Sequence, residues 1–370
     1  MIKVGITGQA GFIGTHLYNY LGLHDDIQRI EFKDEWFKCR NHLIKFIQTC
    51  DVVVHLAAVN RHYNPELINK KNIELVKTLI IAIDESSKKP HVIFSSSTQE
   101  ELDNPYGRSK KEGREIFIEW AEENDVKFTG MIIPNVFGPF GKPFYNSVIS
   151  TFCHQLVQNL TPKIEIDAKM KLIYINDLVE IIYKVIKNEY KENCLYVQHL
   201  AERKVSELLE KLKVFKVVYY EKGIIPYLTC YFDICLFNTF ITYISKSHYP
   251  VYRKIHTDSR GQLAEIIKTK IGGQTFFSLT KPGITRGNHF HRRKIERFCV
   301  VKGKALIKLR RIGTNAITEY SVNGKEPSFV DIPVFYTHNI TNLGDKDMYT
   351  LFWTSEFFNI EDPDTYYEEV

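Results

Sequence analysis

Two rhythms of apolar and polar positions divide this chain. In the first half, short apolar runs alternate with amphipathic stretches. Lys3–Thr7, Asp51–Leu56, His91–Ser96 and Lys127–Ile133 have the length and content of strands, and Thr15–Gly22, Glu66–Ser86 and Ser109–Glu123 the spacing of helices. Strand and helix in alternation predict parallel βαβ units in a doubly wound, Rossmann-type α/β sheet. After about Tyr252 the runs shorten and alternate residue by residue, as in Phe276–Leu279, Phe298–Val301, Ala305–Arg310, Thr318–Val322, Phe329–Ile332 and Met348–Trp353. Turn pairs such as Lys302-Gly303 and Asn323-Gly324 separate them, which predicts an all-β barrel or sandwich. The reading therefore expects an α/β domain over residues 1–248 and an all-β domain over 249–370.

Composition narrows the partners. A chain of 370 residues exceeds what one core usually serves. The net charge of +5, with Lys and Arg scattered among acids, suits an anionic small substrate and argues against nucleic acid. Seven cysteines, an odd number without a C-x-x-C pair, read as core thiols in a reducing compartment. A strand candidate beginning almost at residue 1 leaves no room for a signal peptide, so a cytoplasmic location is expected. The most apolar run, Tyr227–Ile244, is interrupted by Asp233 and Asn238, and reads as a buried or interface helix, not a membrane span.

Between the first strand and the first helix lies Thr7-Gly8-Gln9-Ala10-Gly11-Phe12-Ile13-Gly14. Small residues there let the backbone approach a pyrophosphate, which the helix N-terminus attracts through its N–H groups and dipole. About 20 residues further on, an acidic group would bond a ribose 2′-OH. Asp34 stands there and favours NAD, whereas Lys33, Lys38 and Arg40 would meet a 2′-phosphate and favour NADP, so either cofactor remains open. Leu56-Ala57-Ala58 offers small residues on which the cofactor can lie. Downstream, Ser95-Ser96-Ser97 ends a strand, and Tyr106 and Lys110 sit four apart. On a helix that spacing puts both on one face, where an ammonium lowers the phenol's pKa and prepares it for proton exchange with a carbonyl.

These motifs, with Pro134-Asn135-Val136-Phe137-Gly138-Pro139, resemble the extended short-chain dehydrogenase/reductases, which include nucleotide-sugar epimerases, dehydratases and reductases. The resemblance covers about residues 1–245 and implies Tyr106 as catalytic acid, Lys110 as its partner and a cofactor contact, Ser97 as a hydroxyl donor and Asn135 near the nucleotide sugar. Met131-Ile132-Ile133 stands where the family often carries an Arg, so a contact made by that Arg is not expected here.

The second half carries His289-Phe290-His291, Glu296 and His338. Two histidines alternating on a strand face one side. With a carboxylate from the next strand and an imidazole from a third, they suit a divalent metal, Zn²⁺ first, with Fe, Mn or Ni as alternatives. The spacing resembles both cupin motifs, except that Phe335 replaces a Gly and Pro327 another. Asp258–Glu265 resembles the opening of deoxysugar 3,5-epimerases; Tyr336 adjoins a ligand strand and His256 precedes that segment, but each reads as structural on its own, and the cupin base is not named from sequence.

Taken whole, including Tyr145-Asn146-Ser147 and the ending Asp362–Val370, the chain resembles a family of bacterial capsule and O-antigen enzymes that join a short-chain reductase to a cupin. That resemblance implies C3 epimerisation of a UDP-2-acetamido-2,6-dideoxy-4-hexulose and NADPH-dependent reduction at C4, a zinc-holding cupin, a homodimer, and Asn146 near the substrate. The alternatives are a reductase with a structural or substrate-binding cupin, and a non-catalytic nucleotide-sugar sensor.

Overall fold

Val4–Ile6 and Val52–Val54 are buried on both faces, as neighbouring strands inside a parallel sheet must be. They belong to a computed structural model that describes residues 1–190, 193–254, 256–258, 261–263, 266–267, 269, 273–356 and 358–370. In chain order the first part comprises β1 (Ile2–Thr7), α1 (Phe12–Leu21), β2 (Ile27–Ile30), α2 (Arg40–Thr49), β3 (Val52–His55), α3 (Glu66–Asp84), β4 (His91–Ser97), α4 (Pro105–Asn124) and β5 (Phe128–Ile133). There follow β6 (Asn135–Phe137), α5 (Val148–Val157), β7 (Lys169–Tyr174), α6 (Ile175–Ile186), β8 (Cys194–Tyr196), β9 (Ala201–Lys204), α7 (Val205–Phe215) and α8 (Tyr231–Ile241).

Six strands form a parallel sheet in the order β2-β1-β3-β4-β5-β8, the doubly wound architecture that the alternating pattern predicts. The order reverses beside β1, and ligands in such sheets bind at that crevice, outside the carboxyl ends of the strands. Both key helices start earlier than their apolar periodicity. α1 begins at Phe12, directly after Gly11, so the glycine turn runs straight into the helix. α4 begins at Pro105, with Asn104 as N-cap accepting from the Gly107 N–H at 2.7 Å. Tyr106 and Lys110 therefore both lie on the helix.

The later strands are β10 (Val251–Tyr252), β11 (His256–Asp258), β12 (Gly261–Leu263), β13 (Gln274–Thr280), β14 (Thr285–Phe290), β15 (Glu296–Lys302), β16 (Lys304–Arg311), β17 (Ile317–Asn323), β18 (Ser328–Ile332), β19 (Tyr336–Asn342), β20 (Met348–Thr354) and β21 (Tyr366–Tyr367). They pair antiparallel into two five-stranded sheets, β10-β18-β15-β20-β13 and β17-β16-β19-β14-β21, with β11 and β12 as a separate pair. This is the jelly-roll cupin. Of the Asp258–Glu265 motif, Ser259, Arg260, Ala264 and Glu265 lie outside the described residues.

The chain divides into two compact units, Met1–Phe137 with Gly141–Val148 and Ala168–Lys204, and Gly138–Phe140 with Ile149–Asp167 and Val205–Val370. The second unit thus takes in α5 from Ile149 onward together with α7 and α8, all of which lie before the expected 248/249 boundary. Polar contacts explain the attachment. Arg297 is fully buried and pairs with Asp331 at 2.7 and 2.8 Å, donating also to the Gly223 carbonyl at 3.0 Å. Tyr219 hydrogen-bonds the same carboxylate, and Asn238 of α8 donates to the Arg293 carbonyl at 2.6 Å. Removing either partner of such a buried pair strands the other charge, at a cost of about 3–5 kcal/mol. The Tyr227–Ile244 run contains α8, buried almost throughout. Among the described residues no helix is long and apolar enough to cross a membrane.

Candidate functional site

The glycine turn sits at the sheet's switch point. Gly8 has φ +71°, and a Cβ there would lie 2.8 Å from the Ala57 backbone, so the turn after β1 and the segment after β3 approach each other as only glycine permits. Thr7 fastens the same place: its Oγ1 meets His55 Nδ1 at 2.7 Å and accepts from Ala57 N–H at 3.5 Å. Gly11 and the partly exposed Phe12 and Ile13 open α1, and Gly14 is buried within it. Leu56, Ala57 and Ala58 line the end of β3, half-buried. Lys33 and Asp34 are exposed beyond β2. Arg40 is drawn aside into an ion pair with Glu85.

Lys110 is 2% exposed, and its Nζ donates to the Ser95 carbonyl at 2.7 Å, 5.7 Å from the centre of the Tyr106 ring. Burial lowers this amine to about 7. Burial also pushes the Tyr106 phenol up, with a smaller contribution from Tyr145. The expected lowering of the phenol by Lys110 is not seen in the protein alone, where desolvation sets the direction. Ser97 closes β4 and caps the following turn, its Oγ accepting from Gln99 N–H at 3.2 Å. Asn135, half-buried, donates to the Lys171 carbonyl at 3.2 Å, and Asn146 is exposed next to Tyr145.

Asn72 went unnoticed in the sequence reading. It is buried on α3, accepts from Val59 N–H at 2.7 Å, and donates to the Val59 carbonyl at 3.1 Å and to Ser109 Oγ at 2.9 Å. Ser109 in turn donates to the Tyr106 carbonyl at 2.7 Å. Asn72 thus ties the segment after β3 to the first turn of α4. A polar residue on the apolar stripe Ile68, Ile73, Val76 was the available signal.

In the second unit, His289 on β14, His291 just beyond it, Glu296 on β15 and His338 on β19 bring their ligand atoms within 4.8 Å of one another. Glu296 Oε2 lies 3.2 Å from His291 Nε2 and 3.1 Å from His338 Nε2. His291 Nδ1 faces the Asp364 carbonyl at 2.6 Å and His338 Nδ1 the Tyr336 carbonyl at 3.2 Å. Bonds of that kind leave the proton on Nδ1 and a lone pair on Nε2. Two buried lone pairs then face a carboxylate, and either a proton or a cation must come between them. Burial would raise Glu296, yet hydrogen bonds and charge from His291 and His338 when they are protonated outweigh it and hold the carboxyl well below its usual range. Burial lowers His289 to about 4, helped by the neighbouring histidines. The donor set fits a divalent metal. Phe335, where the cupin motif has Gly, keeps the left-handed backbone at φ +59°. Tyr336 starts β19 half-buried, its phenol raised by burial, and His256 lies in β11.

A Rossmann-type sheet with this turn and this Tyr–Lys pair defines a class. The model of the NAD dependent epimerase/dehydratase family matches residues 4–197, and that of the polysaccharide biosynthesis C-terminal domain matches residues 256–366. The chain belongs to the NAD dependent epimerase/dehydratase family. Over its length it is 33% identical to the UDP-2-acetamido-2,6-beta-L-arabino-hexul-4-ose reductase of Pseudomonas aeruginosa, covering 99% of this chain and 98% of that one. The capsular polysaccharide assembling protein CapF from Staphylococcus aureus is 34% identical in its crystal structure, with a TM-score of 0.64 and all of both chains covered. CapF with the inhibitor 3-isopropenyl-tropolone is similar at 31% identity and a TM-score of 0.59, again over all of both chains.

Proposed function

We propose that this protein is a bifunctional nucleotide-sugar enzyme. Its cupin, residues 249–370, epimerises C3 of a UDP-2-acetamido-2,6-dideoxy-4-hexulose, and residues 1–248 reduce the C4 ketone with NAD(P)H, NADPH being the expected donor. The product is a UDP-N-acetyl-6-deoxy-L-hexosamine, of L-talose type as a precursor of UDP-L-FucNAc or a related isomer, for a surface glycan. In the same reading it works as a homodimer in the cytoplasm. The observation that carries the reductase reading is the half-buried Tyr106 beside the buried Lys110 on α4, next to the β4 end at Ser97, in a sheet whose switch point holds the Gly8 turn. A full-length relative named as a reductase of such a sugar supports it.

When bound, the nicotinamide supplies hydride and the metal supplies Lewis acidity. Thr7, Gly8, Gly11, Phe12, Ile13 and Gly14 hold the dinucleotide, Leu56, Ala57 and Ala58 support it, and Lys33 or Asp34 reads its ribose. Tyr106 hands its phenolic proton to the C4 oxygen, and Ser97 Oγ–H holds that oxygen. Burial keeps the phenol protonated until it is needed, and a protonated Lys110 eases its ionisation. Asn135 and Asn146 contact the nucleotide sugar. His289, His291, Glu296 and His338 hold the metal. The order of steps follows from carbonyl chemistry: the C4 ketone acidifies C3–H, and reduction then removes the ketone and fixes the configuration.

The relative's name covers reduction alone, which favours as second reading a reductase whose cupin only binds substrate or organises the protein. Incubating the protein with UDP-4-keto-6-deoxy-HexNAc in D₂O separates the two. Deuterium at C3 without nicotinamide, followed by a C4 alcohol inverted at C3 once NADPH or NADH is added, is the expected result. Reduction without any C3 exchange leaves the second reading, and no reduction with either nicotinamide overturns both.

A further inference from the structure

The residue that orients His291 comes from the chain's last segment. Asp364 is 2% exposed and uses both ends of itself on the metal centre. Its carbonyl faces His291 Nδ1 at 2.6 Å. Its carboxylate accepts three successive backbone N–H groups, from Arg292 at 3.1 and 3.2 Å, Arg293 at 3.0 Å and Lys294 at 3.2 Å. Those three residues begin the link between the ligands His291 and Glu296. One residue therefore sets the imidazole's direction with its main chain and the path to the next ligand with its side chain.

Its neighbours extend the hold. Lys294 Nζ donates to the Pro363 carbonyl at 2.7 Å. β21 pairs with β14, Tyr367 opposite His289 and Tyr366 opposite Phe290, and Glu368 N–H donates to the Asn288 carbonyl at 3.0 Å. Asp364 itself has φ +44°, a left-handed backbone that a non-glycine residue takes only where its surroundings demand it. A carboxylate on three N–H groups and a carbonyl on an imidazole supply that demand.

We propose that Asp364 is a positioning residue for the metal centre, and that the segment from Asp362 to Glu368 latches His289 and His291 in ligating geometry. The inference rests on the metal-centre reading above. Partners in this position govern tautomer and ring orientation, and losing one typically weakens metal binding roughly 10–100-fold.

The test uses the full-length chain and its Asp364→Ala and Asp364→Asn variants. Zn²⁺ affinity is measured by competition with a chromophoric chelator, the visible spectrum is recorded with Co²⁺, and NADPH binding reports on the first half of the chain. Asp364→Ala should weaken Zn²⁺ roughly 10–100-fold and alter the cobalt bands, with NADPH binding unchanged. Asp364→Asn, which keeps the acceptor but not the charge, should fall between Ala and the parent. Should Ala fail to fold, Asn carries the test alone. Affinity and cobalt spectrum equal to the parent's in the folded variants overturn the latch and leave the metal centre standing. A parent chain that takes up neither ion overturns the metal-centre reading and the latch together.

Discussion

Gly107 lies against Gln99: a Cβ on Gly107 would sit 2.1 Å from the Gln99 carbonyl oxygen. That contact seats the first turn of α4, which carries Tyr106, on the turn that follows Ser97. The Gln99 carbonyl is backbone and cannot swing away. Gly107→Ala should force the two turns apart, at a cost of about 1–3 kcal/mol. Lower thermal stability together with a drop in kcat for ketone reduction is expected. A variant with the parent's kcat and melting temperature would show that the contact is not needed.

Tyr106→Phe removes only the phenolic oxygen from a half-buried ring. Loss of a proton donor costs roughly 10²–10⁴ in rate, and ketone reduction should fall by that factor. Solvent deuterium exchange at C3 should persist. His289→Ala should show the opposite pattern, losing metal and exchange but keeping nicotinamide binding. Loss of both activities in both variants would contradict two separable sites.

Asp34 and Lys33 stand exposed where a ribose would be read, whereas Arg40 is committed to Glu85. Asp34→Asn removes a charge that repels a 2′-phosphate and should raise the NADPH/NADH preference in kcat/KM about tenfold, some 1.4 kcal/mol. Lys33→Ala should lower it. Steady-state kinetics with both cofactors reads the ratio, and no movement in either variant removes both residues from cofactor selection.

His55 and His91 are buried, and burial lowers them to about 3 and about 4. A histidine lowered on folding binds fewer protons in the native than in the unfolded chain between its folded value and about 6.5. Stability should therefore hold above pH 6.5 and decline as the pH falls toward 4. Each ring should cost about 2 kcal/mol between pH 6.5 and 5. Denaturant melts across that range measure the slope. His91→Asn, which removes one titrating ring, should flatten it, and an unchanged slope would assign the acid sensitivity elsewhere.

The glycine turn, the Tyr106–Lys110 spacing and the His289–His291 alternation were legible in the chain because each is written in a local period, whereas Glu296 and His338 join them only through strand pairing. A turn before a helix, four residues on one helix, and alternation on a strand bring side chains together whatever the rest of the fold does. The two architectures followed from the same periods, and the early starts of α1 and α4 were hidden only because Gly11, Asn104 and Pro105 are caps, not apolar positions. Asn72 and Asp364 have no such local mark. Asn72 reaches Ser109 across 37 positions, His291 reaches Asp364 across 73, and Tyr219 reaches Asp331 across 112. Such pairings depend on how strands and helices stack, so a buried polar group finds its partner only once the tertiary fold has excluded water from it. The sequence by itself determined which chemical groups this protein carries and on which elements. The tertiary structure alone decided which polar residues hold them in place, that burial raises the Tyr106 phenol, and that α7 and α8 join the second unit.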